Sequence, residues 1–349
     1  MTDFPFPLGV SEFTTMPWSF EEDLRNYAAL GLDAIEVCEF KLAEDKIVEQ
    51  LGAVQAAAMS ICSVQPSVRT MLPSSSQPTP VNRRDRLARF RSSVETIAPY
   101  APDAVFVTNT GPAPGGNMAD AVAHAVSAHK ELAAIAADNG VRIALEPLNP
   151  VSLNQESAIW TYRQALNIVE EVGDDHVGIC VDLWNLWQDC EFVNDLSASS
   201  ERMFLLQVSD WRTPRSAMDR RRVGTGDIPI GELLHAVYDA GYRGPCVVEI
   251  FSEDVPDSFT TPIFTTCSPP IAAPCTGHGI RNQVVERRAP RAMPGPWPGG
   301  NASLRWRPGV DVFDIANYIA AQYHSMTHQR RAMNSHETVS QSTPSGSAQ

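Results

Sequence analysis

Eight short apolar runs alternate with amphipathic stretches through the first 252 residues, and this alternation leaves the chain few architectures. The runs are 8–13, 34–39, 60–65, 104–109, 142–147, 177–183, 203–209 and 245–251. Between them, residues 20–30 open with Ser19 and Glu22 at the spacing of a capping box and close at Gly31. Further helices are expected over 118–139, 157–172 and 230–240, stopping at Gly140, Gly173 and Gly241. Eight strand–helix units predict an α/β fold, a (β/α)8 TIM barrel over residues 1–258. An open doubly wound sheet is the alternative. It usually carries a glycine-rich turn after its first strand, and none stands there.

The last four strands carry the chemistry. Each is apolar on both faces, as a parallel strand covered on both sides must be. Each then breaks the pattern near its C-terminal end, at Glu146, Asp182, Gln207 and Glu249 in turn. Barrel active sites are built at that rim from several strand ends. Turning Glu146 inward turns Ala144 inward too, and Asp182 brings Cys180 and Gly178, small residues suited to a crowded axis. Three carboxylates facing one another would raise each other's pKa values through repulsion and desolvation. One divalent cation removes that penalty. Three carboxylates and one amide oxygen form a hard set that suits Mn2+, admits Mg2+ or Co2+, and argues against a cysteine-rich zinc site. A single strand-end carboxylate is ordinarily a solvated charge or a helix cap. Four at the same end of successive strands point to a metal site.

Other rim residues are candidates for substrate contact. Arg212 follows the seventh strand and Arg222 precedes Gly224-Thr225-Gly226. Either can bind a carboxylate, phosphate or hydroxyl, with Arg212 preferred. Trp184, Trp187 and Trp211 crowd the same rim, where aromatic faces can stack on a ligand; Trp184 and Trp211 are the candidates for substrate contact. Glu36 and Glu39 end the second strand, and the pattern does not decide which faces the pocket. Asn109 ends the fourth. All eight histidines avoid strand ends and read as helix surface or tail. A Ser-His-Asp triad or a histidine-rich zinc centre therefore has no support.

The formal net charge of −14 argues against nucleic acid and anionic membranes as partners. No apolar run approaches a membrane span, and the N-terminus lacks the basic and apolar regions of a signal peptide. The seven cysteines form no C-x-x-C pair and read as buried free thiols. A cytoplasmic protein is expected, with a small molecule as partner and room for homo-oligomerisation.

The segments ALEPLN, VGICVDLWNLWQD, FLLQVSDWRTP and RVGTGDIPIGELLHAVYDAGYRGPCVVEIFSED resemble the sugar phosphate isomerase/epimerase family, the xylose isomerase-like barrels. SFEEDLRNYAALGLDAIEVCEFKL is similar to the first helix and second strand of that family, and the likeness runs over about residues 8–258. It implies a metal set on Glu146, Asp182, Gln207 and Glu249. It also implies that Glu146 and Glu249 serve as acid and base while the metal holds enediolate oxygens. The implied function is a metal-dependent sugar or cyclitol isomerase or epimerase. A lyase on the same barrel is the runner-up: an inosose- or dehydroshikimate-type dehydratase, or one that eliminates from 3-keto-glycosides. A non-catalytic sugar-binding barrel follows. The chain departs from the family in two places. Many members have histidine where Gln207 stands, and many have histidine where Asn185 stands, so Asn185 would hydrogen-bond a substrate hydroxyl rather than relay protons.

The resemblance stops near Ser258. Nine prolines between residues 259 and 309 rule out a continuous helix there. Residues 259–349 are therefore read as a proline-rich extension with one amphipathic helix over 310–333 and a polar, disordered tail.

Overall fold

The computed structural model describes residues 4–212 and 219–251. Expectations for residues 259–349 lie outside them. Eight strands close into one parallel barrel in sequence order, with β8 returning to β1. They are β1 (Leu8–Ser11), β2 (Ala34–Cys38), β3 (Ser60–Gln65), β4 (Val105–Thr108), β5 (Arg142–Leu145), β6 (Val177–Asp182), β7 (Met203–Val208) and β8 (Cys246–Val248). All eight expected strands are present, several trimmed at one or both ends. Glu146 and Glu249 stand one residue beyond their strands, yet their backbone N–H groups still bond Thr108 and Val208 on the neighbouring strands.

The helices are α1 (Phe20–Leu30), α2 (Ile47–Ala56), α3 (Arg83–Ile97), α4 (Met118–Asn139), α5 (Tyr162–Val172), the single turn α6 (Leu183–Leu186), α7 (Phe192–Ser199) and α8 (Ile230–Asp239). Local chemistry sets their ends. Ser19 and Glu22 form the reciprocal capping box of α1, and Gly31 closes it at a φ of 70°. The helix expected from residue 157 starts at Tyr162 instead. Thr161 and Gln164 form a second capping box there, while the Ser157 side chain bonds the backbone of Ile159 and holds that segment in a turn. His129 also corrects the sequence reading. It is fully buried between α4 and β4, bonded to Thr108 Oγ1 at 2.8 Å and Ala125 O at 2.7 Å. Burial lowers its pKa to about 4, so it is a neutral structural group.

Ala34, Cys62, Val105, Val107, Ala144, Cys180, Leu205 and Val247 meet in one buried cluster, and Gly9 of β1 has Ala34 and Val247 against it. Small and branched residues fill the interior as side chains of alternating direction must. Gly178 has no room for more: an added Cβ would lie 2.5 Å from Arg202 O and 2.7 Å from the Phe204 ring. The inward pairing of Ala144 with Glu146 and of Cys180 with Asp182 holds, so each buried carboxylate sits one layer above a small side chain. Cys38, Cys62, Cys180 and Cys246 are buried free thiols, as expected, whereas Cys190 is exposed. Among the described residues no helix is long and apolar enough to cross a membrane.

Candidate active site

A cavity of about 680 Å³ opens over the C-terminal ends of the strands. Its wall includes Glu146, Glu249, Asn109, Trp184, Asn185 and Arg220, and Asp182 lies buried beside them. Oxygens of Glu146, Asp182 and Glu249 lie within 4.8 Å of one another. All three side chains are buried, because β5, β6 and β8 deliver them to the same layer of the barrel mouth.

Amides and one guanidinium hold the carboxylates in place. Asn185 Nδ2 donates to Glu146 Oε1 at 2.8 Å and to Asp182 Oδ2 at 3.0 Å. Asn109 Nδ2 donates to Glu146 Oε2 at 3.2 Å. Asp182 Oδ1 caps the turn of α6 by accepting from Trp184 N. Arg220 Nη1 reaches Asp182 Oδ2 at 2.7 Å and Glu249 Oε2 at 2.9 Å. Its guanidinium carbon lies 4.9 Å from the Trp184 ring and 4.3 Å from the Phe251 ring, between two aromatic side chains.

Burial sets the protonation of this cluster. Desolvation, then the Asp182 charge, push the Glu146 carboxyl up to about 7, and Arg220 pulls the other way. Desolvation raises Glu249 further above the usual carboxylate range, and it raises Asp182 against the same opposing pull of Arg220. Three carboxylates and one guanidinium leave a formal deficit of two positive charges.

Gln207 is fully buried next to this cluster. Its Nε2 donates to both oxygens of Glu36 at 3.0 Å, and its Oε1 accepts from the Cys180 thiol at 3.1 Å. Glu36 is thus the strand-two glutamate that faces inward, held also by Ser63 Oγ at 2.7 Å. Glu39 turns away, accepting from Ser67 N and Ser93 Oγ. Trp184 lines the cavity; Trp211 instead packs on Trp187 with ring centroids 5.1 Å apart. Arg212 is exposed and absent from the cavity wall.

The arginine that reaches the carboxylates is Arg220, which the sequence reading passed over between Arg212 and Arg222. The available signal was the run Arg220-Arg221-Arg222 before a Gly-x-Gly turn in an acidic chain. Asp210 organises this loop. Its carboxylate accepts from the backbone N–H groups of Trp211, Gly224, Gly226 and Ile228, and its backbone pairs with Arg221.

The family model for the xylose isomerase-like TIM barrel matches residues 24–265. An inosose isomerase of Halalkalibacterium halodurans is 31% identical over 126 residues, 35% of this chain and 43% of that protein. An L-ribulose 3-epimerase of Methylomonas sp. is 25% identical over 148 residues, 42% of this chain and 48% of the relative. The matched segment therefore spans less than half the length of either relative. A solved structure of a protein from Sinorhizobium meliloti 1021 superposes with a TM-score of 0.64 at 24% identity, covering 72% of this chain and 91% of that one. At that identity the likeness is one of fold.

Proposed function

The chain belongs to the xylose isomerase-like TIM barrel family, and on that premise we propose that it isomerises or epimerises a keto- or aldo-sugar or a related cyclitol by moving a proton at the carbon beside a carbonyl. The observation that carries this reading is the convergence of buried Glu146, Asp182 and Glu249 within 4.8 Å at the mouth of one cavity. The named activities of the two relatives, inosose isomerisation and ribulose 3-epimerisation, fall in the same class of proton transfer.

The donor set fits a divalent cation. Its oxygens are hard, they converge, and Arg220 offsets only one of three negative charges. Mn2+ is the proposed ion, with Mg2+ or Co2+ as alternatives. Glu146, Asp182 and Glu249 would hold it. Gln207 Oε1 is the proposed fourth ligand, since its partner in the structure is only the weak S–H donor of Cys180. When bound, such an ion polarises a substrate carbonyl and acidifies the adjacent C–H.

The chain's own residues supply the rest. Glu146 and Glu249 are the proposed acid and base. They rise from β5 and β8, so a carbon between them meets a carboxyl from each side. A carboxyl lifted to about 7, as for Glu146, suits proton exchange near neutrality. Asn185 and Asn109 fix the orientation of Glu146. Arg220, held between Trp184 and Phe251, orients Glu249.

The test is exchange in D2O. The Mn2+-loaded protein is incubated with keto-sugars, inososes and 3-keto-glycosides, and products are followed by mass and NMR. Deuterium at the carbon next to the carbonyl, with no loss of water or aglycone, is expected. Loss of either would make the protein a lyase. Glu249→Gln is expected to slow exchange by at least about 100-fold, in line with removal of a general acid or base; undiminished exchange sinks the assignment.

A further inference from the structure

The cavity wall carries five charged side chains, Arg69, Glu146, Glu156, Arg220 and Glu249. Four are satisfied within the protein. Glu146 takes hydrogen bonds from Asn109 and Asn185, and Arg220 pairs with Glu249. Glu156 accepts from Ser75 Oγ and, at 2.7 Å each, from Ser76 N and Ser76 Oγ. Arg69 differs. Among the described residues its guanidinium makes no ion pair or side-chain hydrogen bond; it lies over the face of Phe13, 5.5 Å from guanidinium carbon to ring centroid, and its charge acts through space on Glu146. A cation–π contact uses no N–H group, so the guanidinium keeps its donors for a ligand.

The segment that presents Arg69 is firmly held. Gln77 Oε1 accepts from Arg69 N at 2.9 Å, and Arg69 O accepts from Asn109 N at 3.0 Å. The next residue, Thr70, is bonded through its carbonyl and its hydroxyl by Arg86, which is fully buried and also bonds Gln77 O and Pro80 O. A charged fork on a fixed backbone loses little freedom on binding. Arg69 follows β3 and lines the same cavity as Arg220, the two linked through the neighbouring rings of Phe13 and Phe251, whose centroids are 5.6 Å apart.

We propose that Arg69 is an anion subsite, and that the substrate is an acidic keto-sugar whose carboxylate or phosphate binds Arg69 in the wall of this cavity. A guanidinium takes either oxyanion through two parallel N–H donors. The sugar scaffold rests on the proton-transfer reading above; the preference for an anion rests on Arg69 alone and is read by binding, without turnover.

The experiment is calorimetric titration of the full chain with fructose, fructuronate and fructose 6-phosphate. The wild type is expected to bind at least one acidic ketose about tenfold or more tighter than fructose, the better of the two identifying carboxylate or phosphate as the partner. Arg69→Gln is expected to erase that ratio, and Arg69→Lys to keep part of it. Equal affinity for all three ligands in the wild type, no binding of either acidic ketose, or an unchanged ratio in Arg69→Gln overturns the proposal. Binding of an acidic ketose without deuterium exchange would overturn the isomerase reading and leave the anion subsite standing. Exchange on ketoses with no preference for charge would do the reverse.

Discussion

Arg220 touches Asp182 and Glu249 at once and is 5% exposed, so its charge compensates the carboxylates in a nearly dry site. Removing one partner of a buried ion pair ordinarily costs about 3–5 kcal/mol, because the remaining charge is left uncompensated. Arg220→Met is accordingly expected to lower the thermal midpoint in EDTA. The same substitution leaves three carboxylates with no counter-charge at that spot, so Mn2+ is expected to raise the midpoint of the variant more than that of the wild type. Thermal scans of both proteins with EDTA and with Mn2+ read the two shifts. An equal Mn2+ shift in the two proteins would separate Arg220 from the electrostatics of the cation. At this scale Gln207 is a hinge between two networks. Its amide joins Glu36 to Cys180: the NH2 group gives to both Glu36 oxygens while the carbonyl oxygen accepts from the thiol, whereas a neutral histidine ring has a single N–H to give.

The loop between β7 and α8 is the element that brings Arg220 inward. Asp210 gathers four backbone N–H groups, and the loop must press tightly against it. At Gly226 an added Cβ would sit 2.1 Å from Trp211 O and 2.5 Å from Asp210 Oδ1, and Gly224 has a φ of 78°. The Gly-x-Gly pair thus serves a carboxylate clamp, not a phosphate cradle. Gly226→Ala is expected to displace the loop, costing roughly 1–3 kcal/mol of stability and slowing deuterium exchange by at least about tenfold as Arg220 leaves Glu249. Gly52 is the contrasting position, in the middle of α2 with nothing within 4 Å of an added Cβ. Gly52→Ala is expected to stabilise by about 0.5–1 kcal/mol through helix propensity, with exchange unaltered. Matching losses of exchange in both variants would refute the loop argument.

Across the whole molecule, stability depends on a second buried acidic group beside the β1–β2 end of the barrel. Glu12 and Asp23 are both fully buried, and each has one carboxylate oxygen without a hydrogen-bond donor in the structure. Lys41 bonds Asp23, Cys38 N bonds Glu12, and Tyr27 reaches Thr15 alongside. Desolvation raises both carboxyls, Glu12 strongly, against the pull of Lys41. The folded chain therefore keeps a proton that unfolded carboxyls release. This contribution is complete below the ordinary carboxylate range and is lost as pH rises through the raised values. Glu12→Gln keeps an acceptor for Cys38 N and gains a permanent donor toward Asp23. Its thermal midpoint is expected to exceed that of the wild type at about pH 8, with the gap closing toward about pH 4; a constant gap would exclude a proton on Glu12. Much of the architecture was legible from local pattern. Apolar runs broken by one polar residue placed Glu146, Asp182 and Glu249 at one rim, and capping residues marked most of the helix ends they were used for, because strand alternation and caps are properties of neighbouring residues. Closure of the barrel decided the remainder. It set Glu36 against Gln207, 171 residues apart, chose Glu36 over Glu39 and Arg220 over Arg212, and buried His129 on β4. Those outcomes depend on which loops fold back over the mouth and which charges meet there, and no local spacing encodes a distance between residues that only the closed sheet makes neighbours.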